Sequence, residues 1–126
     1  MIDYDGKRFR SEAGADGTRS SATYHQDGDL LWGEATGGAL RRGTLTGICR
    51  PDGTLDFSYS FVMRDGEIVS GRCLSTPEIL DDGRIRLRED WVRYGDGASS
   101  GVSYLEELGP GDATPSPAGS ATTAAR

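Results

Sequence analysis

The sequence predicts an all-β domain, a single antiparallel up-and-down β-barrel of about eight strands. One observation is a recurring Asp-Gly pair, which supplies the positive φ angle that tight hairpin turns need. It occurs at Asp5-Gly6, Asp16-Gly17, Asp27-Gly28, Asp52-Gly53, Asp65-Gly66, Asp82-Gly83 and Asp96-Gly97, with Gly37-Gly38 alongside. The other is that the segments between these pairs alternate apolar and polar residues, which is the period of a half-buried strand.

The predicted strands follow one another along the chain and are joined by short turns. They cover 7–12, 23–26, 30–36, 40–49, 54–63, 67–75, 84–94 and 101–108. Short turns make sequential neighbours antiparallel, and a meander of this length avoids exposed edges best by closing on itself. A strongly bent open sheet or a sandwich is the alternative. Thr76 as a helix cap and Pro77 at a first helical position predict one helical turn over 76–80.

A chain of 126 residues has room for one domain. We assign residues 1–108 to the barrel. Residues 109–126 lack the aromatic and branched side chains that offset the entropy of ordering, which predicts a disordered, low-complexity tail.

The charge balance excludes some partners. Lys and Arg number 14 against 20 Asp and Glu, a net charge of -6, which repels phosphate backbones and anionic lipid. We therefore expect neither a nucleic acid nor a membrane as partner. The amino terminus lacks the order of a signal peptide, and no apolar run approaches the ~20 residues of a membrane span. These features predict a cytoplasmic protein.

Metal and cofactor chemistry finds little support in the sequence. His25 is the single histidine, and Cys49 and Cys73 lie in different predicted strands without a CxxC spacing. We expect free thiols, no metal and no cofactor, because nucleotide-binding and hydrolase motifs are also lacking.

Charged residues interrupt otherwise apolar strand faces. Strand 54–63 alternates most cleanly, and the same alternation elsewhere puts Glu34 with Trp32, Arg72 with Leu74, Glu89 with Trp91, and Glu106 with Tyr104. An ionised side chain inside a small barrel lowers the free energy of unfolding by several kcal/mol unless it is paired with an opposite charge or hydrated. The pattern predicts a solvated cavity or an internal ion-pair network. The alternative is that these residues lie near strand ends, or that a bulge turns them to solvent.

If these residues converge, their chemistry suggests roles. Glu34 and Glu89, each beside an indole, are candidates for a general acid or base, and Arg72 for holding an anionic or carbonyl oxygen. Candidates for contacting a ligand are the aromatic residues Trp32, Tyr59, Trp91, Tyr24 and Tyr104. Ordinary core filling is the alternative for the aromatic residues.

Two neighbouring stretches resemble a family of bacterial proteins of about this length. They are 71–80, GRCLSTPEIL, and 82–91, DGRIRLREDW, with further matches at 2–10, 23–25, 34–38 and 105–108. Members of that family often carry the label N-acetylglutamate synthase. The chain lacks the α/β pattern and pyrophosphate-binding turn of acetyl-CoA-dependent acetyltransferases, so we do not expect that activity. The family is similar to avidin-like and lipocalin-like barrels, which implies a ligand site in the barrel mouth.

Three functions are compatible with these observations. The first is a binding module that holds a small molecule in the barrel interior. The second is a cofactor-free isomerase, cyclase or lyase that uses a cavity carboxylate as acid or base. The third is an interaction protein without a small-molecule site. Assembly into a homo-oligomer stays open.

Overall fold

Eight antiparallel strands form a closed barrel in which each strand pairs with its sequence neighbours and the last strand pairs with the first. The computed structural model describes residues 2–109. The strands are β1 (Arg8–Ser11), β2 (Ser20–Asp27), β3 (Leu30–Gly37), β4 (Leu40–Cys49), β5 (Leu55–Met63), β6 (Ile68–Ile79), β7 (Ile85–Arg93) and β8 (Ser99–Glu107). The predicted barrel is confirmed, and the open sheet and the sandwich are excluded. Apart from Gly109, the predicted tail lies outside the described residues.

The Asp-Gly turns use both residues of the pair. Asp16, Asp52, Asp65 and Asp82 each accept a hydrogen bond at Oδ1 from the backbone N–H two residues on, at 2.9 to 3.0 Å. The glycine after each of them has a positive φ. Gly6 and Gly28 also have a positive φ, whereas Gly97 does not, because the turn between β7 and β8 takes its positive φ at Gly95 instead.

The predicted helical turn over 76–80 is wrong, because β6 continues as a strand to Ile79 and pairs with β7 up to Ile85. The pairing of β6 with β5 ends earlier, at Ser75 and Leu55. Beyond that pair one side of β6 is unpaired, and proline, which has no N–H, is tolerated along an unpaired strand edge.

Residues 2–109 contain no helix that could cross a membrane.

Glycines make room for the large rings inside the barrel. In five cross-strand pairs an aromatic residue lies directly opposite a glycine: Tyr24 and Gly33, Phe61 and Gly43, Phe57 and Gly47, Tyr59 and Gly71, and Trp91 and Gly101. A Cβ at Gly71 would clash with the Tyr59 hydroxyl group and the Val92 carbonyl group. At Gly43, Gly71 and Gly101 the facing ring therefore occupies space that a side chain would need.

The amino-terminal segment closes one end of the barrel. Tyr4 is fully buried, and its hydroxyl group donates a 2.7 Å hydrogen bond to the carbonyl oxygen of Gly53 in the turn between β4 and β5. Lys7 pairs with Glu107 at 3.0 Å near the end of β8. The antiparallel order places the loops β1–β2, β3–β4, β5–β6 and β7–β8 at the opposite end.

Candidate functional site: a cavity inside the barrel

A cavity of about 280 Å³ lies inside the barrel, toward the end opposite Tyr4. Its rim includes Ser11 and Glu12 from the end of β1 and the loop that follows. Much of its wall is apolar, with Ala22, Ala35, Leu45, Phe61 and Leu105. Its polar side chains include those of Tyr24, Glu89 and Ser103. This combination of an apolar wall and a few polar groups is typical of small-molecule sites.

Glu89 lies in the middle of β7, directly between Ser75 of β6 and Ser103 of β8. The Ser75 Oγ is 3.5 Å from Glu89 Oε2, and the Ser103 Oγ is 3.4 Å from Glu89 Oε1. Both separations are longer than the ~2.7 Å typical of O–H···O bonds. Within residues 2–109, no Lys, Arg or His forms an ion pair with this carboxyl group.

Burial controls the protonation of this cluster. Loss of hydration raises the pKa of Glu89 to about 7, and the hydroxyl groups of Ser103 and Ser75 only partly oppose that rise. Burial also raises the pKa of Cys73 to about 12 and the pKa of Tyr24 above its ordinary value. Glu89 is therefore the member of the cluster that changes charge near neutral pH. As an acid it donates a hydrogen bond, and as a carboxylate it accepts several.

The family of the protein follows from comparison with known proteins. The family model described as avidin-like protein matches residues 2–108. The chain belongs to the avidin-like family. Barrels of this family commonly bind small molecules. No curated protein matches the chain significantly.

The avidin-like barrel turns four of the sequence-predicted site residues inward. Glu89 and Tyr24 line the cavity. Tyr59 is buried in the wall, where its hydroxyl group donates a 3.1 Å hydrogen bond to the Val92 carbonyl oxygen. Trp91 packs against the core opposite Gly101. The structure therefore brings together in the cavity one of the two proposed acid or base residues, Glu89, and one of the aromatic residues proposed to contact a ligand, Tyr24.

Trp32 and Glu34 lie on the outer face of the avidin-like barrel, contrary to the sequence prediction. Glu34 Oε1 is 2.8 Å from His25 Nε2, and the Trp32 ring stacks on His25 with the centroids 5.5 Å apart. The inward positions of β3 include Leu31, Gly33 and Ala35. The prediction put the larger residues inside, whereas the Tyr24 ring already fills the space opposite Gly33.

The side chains of Arg72 and Tyr104 also lie on the outer face, whereas Tyr104 as a residue borders the cavity. Arg72 donates hydrogen bonds of 2.9 Å to both carboxylate oxygens of Asp56. The guanidinium group of Arg86 lies over the Tyr104 ring, 4.9 Å from its centroid. The prediction assigned the wrong face of β6 to the interior, because it placed Arg72 inside. In the structure Gly71 faces inward instead and lies opposite the Tyr59 ring. Glu106 shares the outward parity of Tyr104 on β8.

Sequence reasoning missed Ser75, Ser103 and Cys73, which surround the Glu89 carboxyl group. Cys73 and Ser75 are buried, with Sγ and Oγ 3.6 Å apart. The signal that finds them is the row of strand glycines. A strand glycine opposite an aromatic residue shows which side of the strand faces inward, and residues two or four positions along the strand face the same way.

Within residues 2–109, no cluster of three or more His, Cys, Asp or Glu side chains is arranged to hold a metal ion.

Proposed function

We propose that this avidin-like protein binds a small, partly apolar molecule in the barrel cavity, with Glu89 and Tyr24 orienting it. The observation that carries the proposal is the cavity of about 280 Å³, with the Glu89 carboxyl group among its polar lining groups. Of the aromatic residues expected from the sequence, this proposal keeps Tyr24, and the apolar wall consists of Ala22, Ala35, Phe61 and Leu105. The volume suits a compact ligand, since small-molecule sites begin at roughly 300 Å³.

The energetics of the interior support this proposal. A barrel of eight strands is just wide enough to be filled by its own side chains or to hold one small ligand. Here a cavity and a weakly compensated carboxyl group occur side by side, and the carboxyl group lowers the stability of the folded state when it is ionised. A ligand that satisfies the carboxyl group removes that cost and buries its own apolar surface against the cavity wall.

The test is to incubate the purified protein with a metabolite extract and identify retained compounds by mass spectrometry. Ala35→Leu places a larger side chain in the cavity wall and should abolish retention. Glu34→Gln, on the same strand but on the outer face, is the matched control and should retain the compound. Circular dichroism and thermal unfolding check that both variants fold. Retention that survives Ala35→Leu in a folded protein would refute the cavity as the site.

A second candidate is a cofactor-free isomerase, cyclase or lyase in which Glu89 transfers the proton. The observation that favours it is the pKa of Glu89 at about 7, because a general acid or base works best when its pKa is near the operating pH. The same extract experiment separates the two functions. Conversion of a compound by the native protein and by Glu34→Gln, but not by folded Glu89→Gln, would establish catalysis. Retention of an unchanged compound favours binding.

A further inference from the structure

We propose that the cavity selects a small apolar molecule that ends in a primary amine, with the ammonium group paired to the Glu89 carboxylate. This inference rests on the function proposed above and specifies the ligand class. It follows from the distribution of charge in the barrel rather than from the volume of the cavity.

Several acidic side chains on the outer face and at the barrel ends pair with a Lys or Arg. These pairs are Asp56 with Arg72, Glu67 with Arg93, Glu78 with Arg86, Asp82 with Arg84, and Glu107 with Lys7. Glu89 lies inside the barrel, where, among residues 2–109, its side-chain partners are the hydroxyl groups of Ser75 and Ser103 and the thiol of Cys73. Glu89 is half-buried, and a carboxylate that has lost hydration is costly unless a cation pairs with it. An ammonium group on the ligand supplies that cation.

The lining of the cavity favours the same sign of ligand charge. Among residues 2–109, the carboxylic acids that line it are Glu89 and, at the rim, Glu12, and its lining residues include no Lys, Arg or His. A carboxylate or phosphate ligand would meet two like charges and no cation. The net charge of -6 acts in the same direction, because a negative protein concentrates cations near its surface.

The polar groups around Glu89 also suit an amine. An ammonium group has three N–H donors and no acceptor. The oxygens available in the cluster are those of the Glu89 carboxylate, the Tyr24 hydroxyl group and the Ser103 hydroxyl group. The apolar side chains of Leu45, Phe61 and Leu105 then face the hydrocarbon part of the ligand.

The pH dependence of binding has a defined sign. The groups around Glu89 are Cys73 and Ser75 from β6, Ser103 from β8, Tyr24 from β2 and Tyr59 from β5. Burial raises the pKa of Cys73, Tyr24 and Tyr59, so these groups stay neutral where Glu89 ionises. Below the pKa of Glu89 an amine must displace a proton, and its affinity should fall by about tenfold per pH unit.

The test compares three ligands of one shape by titration calorimetry: cyclohexylmethylamine, cyclohexylmethanol and cyclohexanecarboxylate. At about pH 8 the amine should bind about tenfold or more tightly than the alcohol, and the carboxylate should bind most weakly. Lowering the pH to about 5.5 should remove most of the preference for the amine. Glu89→Gln should remove that preference while leaving the alcohol bound, and Glu34→Gln should behave as the native protein.

Two results would overturn the inference. An alcohol that binds as tightly as the amine at high pH would show that the cavity does not select a cation. Binding of that alcohol, together with its loss in Ala35→Leu, would leave the proposed function standing. Failure of all three compounds to bind the native protein would also reject the amine class as defined here. The extract experiment, which makes no assumption about ligand charge, would then decide the proposed function separately.

Discussion

Glu89 and Ser103 face each other on β7 and β8, with the serine Oγ 3.4 Å from Oε1 of the carboxyl group. A hydroxyl group at that distance compensates only weakly for lost hydration. Burial therefore dominates and raises the pKa of Glu89 from 4.5 to about 7. The consequence is a carboxyl group whose protonation is coupled to folding in the interior of the barrel.

Replacing Glu89 by Gln should stabilise the protein at high pH. Because the folded state binds this proton more tightly than the unfolded state, the stabilising effect of Glu89 is complete below pH 4.5 and is lost as the pH rises through about 7. Glu89→Gln lacks this dependence, so its free energy of unfolding relative to the native protein should rise across that window by up to about 3 kcal/mol. Urea unfolding at a series of pH values measures the difference.

The matched control for that series is Glu34→Gln, which removes a carboxyl group from the outer face. Its unfolding free energy relative to the native protein should not show the rise that Glu89→Gln shows between acid and neutral pH. Equal curves for the two variants would mean that the Glu89 carboxyl group is hydrated in the folded protein.

Tyr4→Phe should cost about 1 to 3 kcal/mol, because it leaves the buried carbonyl group of Gly53 without its hydrogen bond. The loss should be seen in both thermal and urea unfolding. Tyr94→Phe is the control, since that side chain is 55% exposed, and it should leave stability unchanged. A neutral Tyr4→Phe would indicate that water replaces the hydroxyl group and that the amino-terminal segment does not seal this end of the barrel.

Gly71→Ala should destabilise the barrel strongly, by about 3 kcal/mol or more, because the new methyl group has no room. It would meet the Tyr59 hydroxyl group and the Val92 carbonyl group. Gly14→Ala adds the same methyl group in the β1–β2 loop, where the nearest atoms are at ordinary contact distance, 3.5 Å or more. That control should unfold at nearly the native temperature. Similar midpoints for the two variants would contradict the packing of rings against strand glycines.

Asp56→Asn should have a small effect on stability and none on ligand binding. The Arg72 guanidinium group, with a further contribution from Arg50, lowers the pKa of Asp56. The resulting stabilisation is present above pH 3.8 and is lost as the pH falls through the lower folded-state value. We expect a cost of at most about 1 kcal/mol near neutral pH, shrinking at high salt. Weakened ligand binding in Asp56→Asn would reopen a role for this outer face.

The fold was predictable from the chain because its determinants are local. An Asp side chain accepts a hydrogen bond from the backbone two residues on, and the glycine beside it adopts the positive φ, so each turn is encoded within a few residues, as at Asp52 and Gly53. The helical turn expected at Thr76 and Pro77 failed for a non-local reason. A strand can continue through a proline when no neighbouring strand needs its N–H. The pairing of β6 with β5 stops at Ser75, so Pro77 is paired only with β7.

The candidate site was only partly predictable, because its membership depends on which side of each strand faces inward. The alternation of apolar residues predicted the inward-facing side of β7 correctly, because Glu89 shares the face of the buried Ile85 and Leu87. It predicted the wrong side of β3, where Trp32 lies outside and Gly33 inside.

The sequence by itself therefore determined an all-β meander, its turns and the presence of a carboxylate on an apolar strand face, since these follow from local backbone preferences and alternation. Only the tertiary structure decided that Glu89 lies inside and that Glu34 and Arg72 lie outside. The physical reason is steric. Inside a closed barrel the neighbouring strand limits what fits: the Tyr59 ring, for example, leaves no room for a side chain at Gly71 opposite it on β6, whatever the hydrophobicity of the residues beside that glycine.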